Sequence, residues 1–512
     1  MQFLRVVRHS ALAVRKRSSA AATATVGCPF HRAEPERPTV NTVYRNVLPY
    51  SAIPSSKGLP IVGTLPEFFM RGGARKLHEY FHMRHQQLGP IFREKIGNLD
   101  VVVISDEDHI NRVYSAEGRH PKHMVPEAWV KYNEKRGIER GLFFMDGENW
   151  RSKRMMLNPA LIPKINQQYG NIFSQVTDDV INRWDTIVRN GNGELPNLEN
   201  ELYNWSVETV GTAVMGRRMG FVSPPGTENK MQEFVQQVQQ IFKESAKLAV
   251  MSADAACKFR LPVWKRFEKA ADVALEMARS FVEERIAEIK KLEASGEKVE
   301  GILKRMIDNQ LPTNEIVNIV ADLILAAADT TSHATQWALY SLAKHPECQE
   351  RILEEINKVV PKGEMVNNSH VQQIPYLAKT IKETLRMYPI ASFLTRALPV
   401  NIVLGKYEIP AGKMFFMSQY TVGRDPRRFK DPEQFNPDRW QLNTASKNGC
   451  MPFGHGARGC IGKIVAELKM QLLLAKTVQQ YHLEAKNKDV GITLRMITTP
   501  TEPIQLHLSK RT

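Results

Sequence analysis

The chain has 512 residues, 42% of them hydrophobic, and a formal net charge of +16 at pH 7. That length allows one large domain, or two closely packed lobes, around a sizeable core. No run approaches the ~18 to 20 apolar residues of a membrane-spanning helix, which points to a soluble or peripheral protein. The five scattered cysteines are never spaced as CxxC and suggest neither a disulfide framework nor a zinc site.

Residues 1–33 carry Arg5, Arg8, Arg15, Lys16, Arg17 and Arg32, are rich in Ser and Ala, and have no acid before Glu34. This is the composition of a mitochondrial transit peptide, and Phe3, Leu4, Val6, Val7, Leu12 and Val14 suit an amphipathic targeting helix. A basic tail for nucleic acid is the weaker alternative, so no nucleic-acid partner is expected. Removing those six charges leaves +10, a surface that should attract an acidic partner. Residues 34–56 read as a polar, proline-bearing linker. The folded domain is expected over 57–512, opening on "GLPIVGTL", where Gly58, Pro60 and Gly63 alternate with apolar residues.

"VVVISD" from Val101 and "KMFFMSQY" from Lys413 read as short strands, with "NIVLGKYEIPAGK" supplying hairpin-like turns. A 3.6-residue period predicts helices over 201–215, 230–250, 265–292, 315–343 and 346–359, and near Pro375 and Gly462. The fold class is mainly α with small β-sheets. No repeat occurs, and no strand leads into GxGxxG, so a doubly wound nucleotide-binding fold is not expected.

Three segments stand out along the way. "LILAAADTTSHATQW" lies in a helical pattern about 30 residues long, roughly 45 Å, and Asp329, Thr330 and Thr331 interrupt its apolar face, where hydroxyls can bond the preceding turn's carbonyls. Glu383 and Arg386 in "KETLRMYP" stand three apart and can pair on one helical face. "LPVWKRF", residues 261–267, mixes Leu, Val, Trp and Phe with Lys and Arg as a segment dipping into a lipid interface would; core packing between helices is the equal alternative.

Near the C-terminus, "FGHGARGCIG" surrounds one cysteine with glycines. Gly454, Gly456, Gly459 and Gly462 let the backbone turn tightly and approach a flat ligand. Cys460 sits just before "IGKIVAELKMQLLLAK", where a thiolate is stabilised by a helix dipole and nearby N–H groups. A metal held by one thiolate needs further ligands, and a porphyrin supplies four, so haem iron with an axial cysteine is the economical reading. An inert buried cysteine is the bland alternative. An iron–sulfur site on Cys450 and Cys460 fails on ligand count. The spacing of Phe453, Gly456, Arg458, Cys460 and Gly462 resembles the signature of the haem-thiolate monooxygenases, the cytochrome P450 family.

That resemblance implies a cytochrome P450 fold, a single large helical domain holding haem b (iron protoporphyrin IX) between the long helix and the Cys loop, with Cys460 as axial ligand. Phe453, Gly454, Gly456 and Gly462 would surround the haem, and Trp150, Arg154, Arg396 and Arg458 would serve its propionates. It implies Thr330 as the hydroxyl near dioxygen and Asp329 as its acidic neighbour, with Ala327 standing where the family often has glycine. Glu383, Arg386 and Arg439 would form a buried triad behind the loop, Asp438 and Trp440 replacing the more usual Glu and Phe.

A mitochondrial member takes electrons from NADPH through ferredoxin reductase and a small acidic [2Fe-2S] ferredoxin. Lys382, and Lys379 one place out of the usual register, would dock it; a solvated helix face is the alternative. "KGLPIVGTL", "GPIFREKIG", "RGLFFMDGENW" and "LRMITTP" resemble the insect mitochondrial ecdysteroid C2-hydroxylases. This implies conversion of 2-deoxyecdysone to ecdysone by an enzyme peripheral on the matrix side of the inner membrane. Family topology would place the sterol against residues 120–129, Ala326, Ala327, 390–394 and 496–498. Another mitochondrial monooxygenase, or a haem-based sensor without turnover, are the alternatives; a sensor has no need of Asp329 and Thr330 in that order.

Overall fold

The computed structural model describes residues 47–511 apart from 98, 140, 162–164, 225–229, 250 and 441–449. The expected transit peptide and residues 34–46 of the expected linker lie outside the described residues. The end of that linker does not behave as one. The Leu48 amide donates to the Lys406 carbonyl at 2.7 Å, the Glu408 amide donates back to Leu48 at 2.9 Å, and Ile53 is buried. The fold therefore takes up the chain before residue 57, because Tyr50 and Ile53 supply apolar side chains to a hairpin some 350 residues away.

Helices run α1 Leu65–Met70, α2 Leu77–Leu88, α3 Glu107–Ser115, α4 Glu127–Arg136, α5 Gly147–Leu161, α6 Ile165–Asn190, α7 Leu198–Met215 and α8 Lys230–Leu248. They continue α9 Ala253–Lys258, α10 Pro262–Ala294, α11 Ile302–Asp308, α12 Thr313–Lys344, α13 Pro346–Val359, α14 Pro375–Met387, α15 Gln419–Val422 and α16 Lys463–Gln480. All the helices predicted from periodicity are present, within a few residues. The sheets are small: β1 Ile91–Ile96, β2 Leu99–Ile104, β4 Phe393–Ala397 and β7 Met414–Ser418 form one in the order β1-β2-β7-β4. In it, β2 pairs in parallel with β7, Val101 facing Met414. The predicted hairpin is β5 Ile402–Leu404 with β6 Tyr407–Ile409. β3 Glu194–Leu195 joins β8 Tyr481–Ala485 and β11 Leu506–Lys510 in a second sheet, and β9 Ile492–Arg495 pairs with β10 Ile497–Pro500.

α12 is the axis of the helical core, packing against α7, α10, α14 and α16. Its ends are enclosed all round: Ile316 to Ala321 and Thr331 to Ala343 are buried, and Trp337 stacks on Tyr388 at 4.1 Å. Between them the enclosure opens. Asp322, Leu323 and Thr330 are half-buried and Ala326 is exposed, a spacing of three and four residues that puts them on one stripe of the helix.

Candidate functional site

The Cys loop is closed on itself before α16 begins. The Cys460 amide donates to the Phe453 carbonyl at 2.8 Å, and Gly459 donates to Gly456 at 3.0 Å. Gly456 has a φ of +74°, and a Cβ there would lie 2.2 Å from an oxygen of Glu117, so only glycine fits. Cys460 retains accessible surface although its sulfur lies deep among protein atoms; that crowding raises the thiol pKa, opposed by the Gly462 amide, Arg154 and Lys463. The start of α16 adds a favourable dipole. Cys450, also enclosed, is pushed up to about 12 by burial, which the charges of Arg386, Arg424 and Arg428 only partly oppose.

Several basic groups converge beside the loop. Arg458 lies over the Trp150 ring at 3.9 Å and donates to the Met145 carbonyl and Asp146. Burial and the nearby Arg396 and Arg154 bring it down to about 10, against the pull of Asp146. Arg154 donates to the Gly459 carbonyl at 2.7 Å and to Asn158, tying α5 to the loop. Arg396 makes a buried ion pair with Glu117 at 2.6 Å, and Glu117 also accepts from the Ala457 amide. Its Nη2 has only a 3.5 Å contact, to the His455 carbonyl. Glu117 escaped the sequence reading, since nothing local marks a partner 279 residues from Arg396. His123, expected only as part of the sterol-facing loop 120–129, lies instead beside these arginines: both ring nitrogens are buried without a well-formed hydrogen bond, and burial beside Arg458 and Arg396 lowers its pKa to about 4.

Behind the loop, Glu383 and Arg386 are wholly buried and joined by two hydrogen bonds of 2.9 and 2.8 Å. Arg439 donates to the same carboxylate at 2.9 Å. The Asn436 amide and the Trp440 indole N–H complete its shell, at 2.9 and 2.8 Å. The indole explains Trp440: its ring donates where a phenyl ring would not. Asp438 turns outward to Arg351. Arg386 also holds the carbonyls of Gly423, Pro432 and Gln434, fastening the chain that leads back to Cys450.

On α12, Thr330 donates to the Ala326 carbonyl at 2.6 Å, and Ser206 of α7 donates to the Ala327 carbonyl at 2.7 Å. Asp329 turns the other way, into the core, where Tyr203 donates to its Oδ1. Burial raises its pKa, with His333 and Tyr203 acting against the rise. Two turns earlier, the Phe143 amide donates to Asp322 at 3.1 Å, and crowding pushes that carboxyl up to about 7. Gly141 is required there, since a Cβ would lie 2.2 Å from Asp322.

A profile of the cytochrome P450 family matches residues 53–508. This chain is a cytochrome P450. Cytochrome P450 315a1, mitochondrial, of Drosophila melanogaster is 34% identical over 90% of this chain and 89% of its own. Cytochrome P450 10 of Lymnaea stagnalis is 32% identical over 94% and 91%, and the mitochondrial sterol 26-hydroxylase of Rattus norvegicus is 30% identical over 88% of each chain. The protein is accordingly a monooxygenase of the haem-dependent class.

The residues of this P450 fit a haem. A thiol receives an amide hydrogen bond at a helix start, glycines keep side chains from its approach, and Arg458, Arg154 and Arg396 gather beside a histidine whose ring nitrogens make no well-formed hydrogen bond among the described residues. On α14, Lys382 is exposed and Lys379 half-buried. Lys382 and Lys463 both act on Glu467, as Lys463 and Glu467 do on Cys460, which puts Lys382 on the cysteine side of the molecule.

The reading of 261–267 as a lipid-dipping segment is corrected: Val263, Trp264 and Phe267 are buried in the helical core. Packing against α4 and α8 outcompetes the interface for these rings, the Trp129 and Tyr132 rings meeting Phe267 edge-on. Leu261 remains outward, with Met251 and Phe259 exposed just before it. No helix among the described residues is long and apolar enough to cross a membrane.

Lys469 of α16 is wholly buried and bonds only the Ser206 hydroxyl and carbonyl, with its ammonium 5.1 Å from the Trp205 ring centre. Burial brings its pKa down to about 7. An unfolded lysine stays protonated up to about 10.5, so the unfolded chain binds the extra proton between the two values and wild-type stability rises with pH there. Lys469→Met should therefore stabilise the P450 by about 2 to 4 kcal/mol below pH 7, and the gain should fade towards pH 10. Denaturation midpoints of the two proteins at pH 6.5 and 10 measure this; an equal difference at both pH values refutes it.

Proposed function

We propose that this P450 is a mitochondrial steroid hydroxylase that converts 2-deoxyecdysone to ecdysone at C2. The observation that carries the reading is the end-to-end likeness to the mitochondrial P450 315a1 of Drosophila melanogaster. The four peptides quoted above add local support, through their resemblance to the insect C2-hydroxylase known as Shadow. Relatives named for sterol 26-hydroxylation and cholesterol side-chain cleavage favour a steroid over a xenobiotic.

Cys460 holds the haem iron, Phe453 and the glycines Gly454, Gly456 and Gly462 line its approach, and Trp150, Arg154, Arg396 and Arg458 serve the propionates. Bound there, haem supplies dioxygen binding and one-electron reduction. Glu383, Arg386 and Arg439 hold the loop from behind. Thr330 presents its hydroxyl on the open stripe of α12, anchored to Ala326, and Asp329 supplies protons through it. Ala326 and Leu323 leave room for an apolar ring system on that stripe.

Lys379 and Lys382 dock an acidic [2Fe-2S] ferredoxin, reduced by NADPH through its reductase. The first 33 residues direct the chain to mitochondria, and the apolar surface at Met251, Phe259 and Leu261 rests on the matrix face of the inner membrane.

Purified enzyme supplied with ferredoxin, ferredoxin reductase, NADPH and 2-deoxyecdysone should form ecdysone, with one oxygen atom from dioxygen in the product and the other in water. Turnover of other sterols without a C2-hydroxylated product overturns the substrate assignment.

A further inference from the structure

We propose that Glu199 and His333 form a proton path from solvent to Asp329, feeding the acid from the side opposite the open stripe of α12. The path rests on the reading of Asp329 as the proton source for oxygen chemistry.

The three side chains stand in line, each link at or a little beyond hydrogen-bond length. Glu199, in the first turn of α7, has its side chain 42% exposed, and its Oε1 lies 3.8 Å from Nε2 of His333, within reach of a bridging water or a small side-chain rotation. His333 is buried and lies one turn beyond Asp329 on the same face of α12. Its Nδ1 is 2.9 Å from the Asp329 carbonyl oxygen and 3.5 Å from Oδ1. Tyr203 donates to Oδ1 and meets the imidazole edge-on at 5.9 Å, fixing both groups. Asp329 Oδ2 is buried with no hydrogen-bond partner among the described residues. A carboxyl with one satisfied and one unmatched oxygen is costly as mere structure, and suits a group that gains a proton at one oxygen and releases it from the other. The charged and titratable groups around the pair are Glu199 and Tyr203 from α7 and Arg495 from β9, whose charge favours ionised Asp329.

The step moves one proton and no electrons. Asp329 releases a proton from Oδ2 and takes the Nδ1 proton of His333 at Oδ1, while Nε2 takes one from Glu199, which regains it from water. A half-turn of the Asp329 carboxyl carries its new proton to the Oδ2 place, and the imidazole returns to its starting tautomer by giving up its Nε2 proton to water and taking one at Nδ1 from water admitted as the Glu199 side chain swings out. Histidine suits the middle place because its two nitrogens can be acceptor and donor at once.

The test uses full-length holoenzyme, His333→Asn, which keeps a donor near the Nδ1 position, and the surface variant Glu199→Gln. Infrared spectra follow the protonated carboxyl band of Asp329, assigned by its loss in Asp329→Asn, as the solvent is changed to deuterium oxide. Both variants should slow its exchange roughly tenfold or more, and should raise the solvent isotope effect on NADPH oxidation and the peroxide released per NADPH. Glu199→Asp should restore most of the loss. Exchange as fast as wild type in both variants overturns the path, and so does slow exchange with an unaltered isotope effect. If His333→Asn does not fold, Glu199→Gln alone decides. Coupled turnover undiminished in Asp329→Asn instead overturns the functional reading, while the exchange measurement still reports whether the path exists.

Discussion

Replacing Cys460 by serine should abolish the red-shifted Soret band of the reduced, carbon monoxide-treated protein and take hydroxylation to background, while the protein stays folded. Serine preserves the size of the side chain and the Gly462 amide contact, so the loop between Phe453 and Cys460 should keep its hydrogen bonds. What it lacks is an accessible anion. A thiolate is attainable here because an amide, Arg154 and the start of α16 oppose the rise that burial causes. A hydroxyl, far less acidic, is not ionised by the same surroundings, and it is a harder, weaker donor to iron. Difference spectra with turnover assays measure both effects. A retained red-shifted band in Cys460→Ser would falsify the assignment of this sulfur as the iron ligand.

Glu383→Gln should cost about 3 to 5 kcal/mol and deplete the haem-loaded fraction. The substitution changes charge with almost no change of volume, so cavity formation does not enter. It leaves Arg386, wholly buried, and Arg439, largely buried, beside an amide that can accept on one side only. Five donors converge on the native carboxylate, from Arg386 twice and from Arg439, Asn436 and Trp440. Losing the charge strands guanidinium groups that also hold the carbonyls of residues 423–434 in place. On a stability of ordinary size this is a large fraction, and its effect should appear in the Cys loop, which the same chain enters. Denaturant midpoints and haem content per protein check the expectation. A variant with wild-type midpoint and full haem content contradicts it.

Periodicity was legible in the sequence wherever burial was helical and continuous. α12, α10 and α13 were readable because an apolar repeat of 3.6 over many residues has few other solutions. The glycine-flanked Cys460 and the Glu383–Arg386 spacing were readable because both are local: they depend on neighbours in the chain. The parallel pairing of β2 with β7 was not, since strands of five or six residues carry no record of a partner three hundred positions away. Nor was the inward turn of Trp264 and Phe267, whose mixed sequence suits either a lipid interface or a helical core.

By itself, the sequence determined the long helices, the cysteine and its glycines, and the spacing of the acid–arginine pair, because covalent proximity and helical period are properties of the chain. Only the tertiary structure decided which buried polar groups meet: Glu117 with Arg396, Trp440 with Glu383, and Ser206 with Lys469. Those pairings arise because a buried polar group must find a partner among whatever the packing brings near, and packing is set by the whole core.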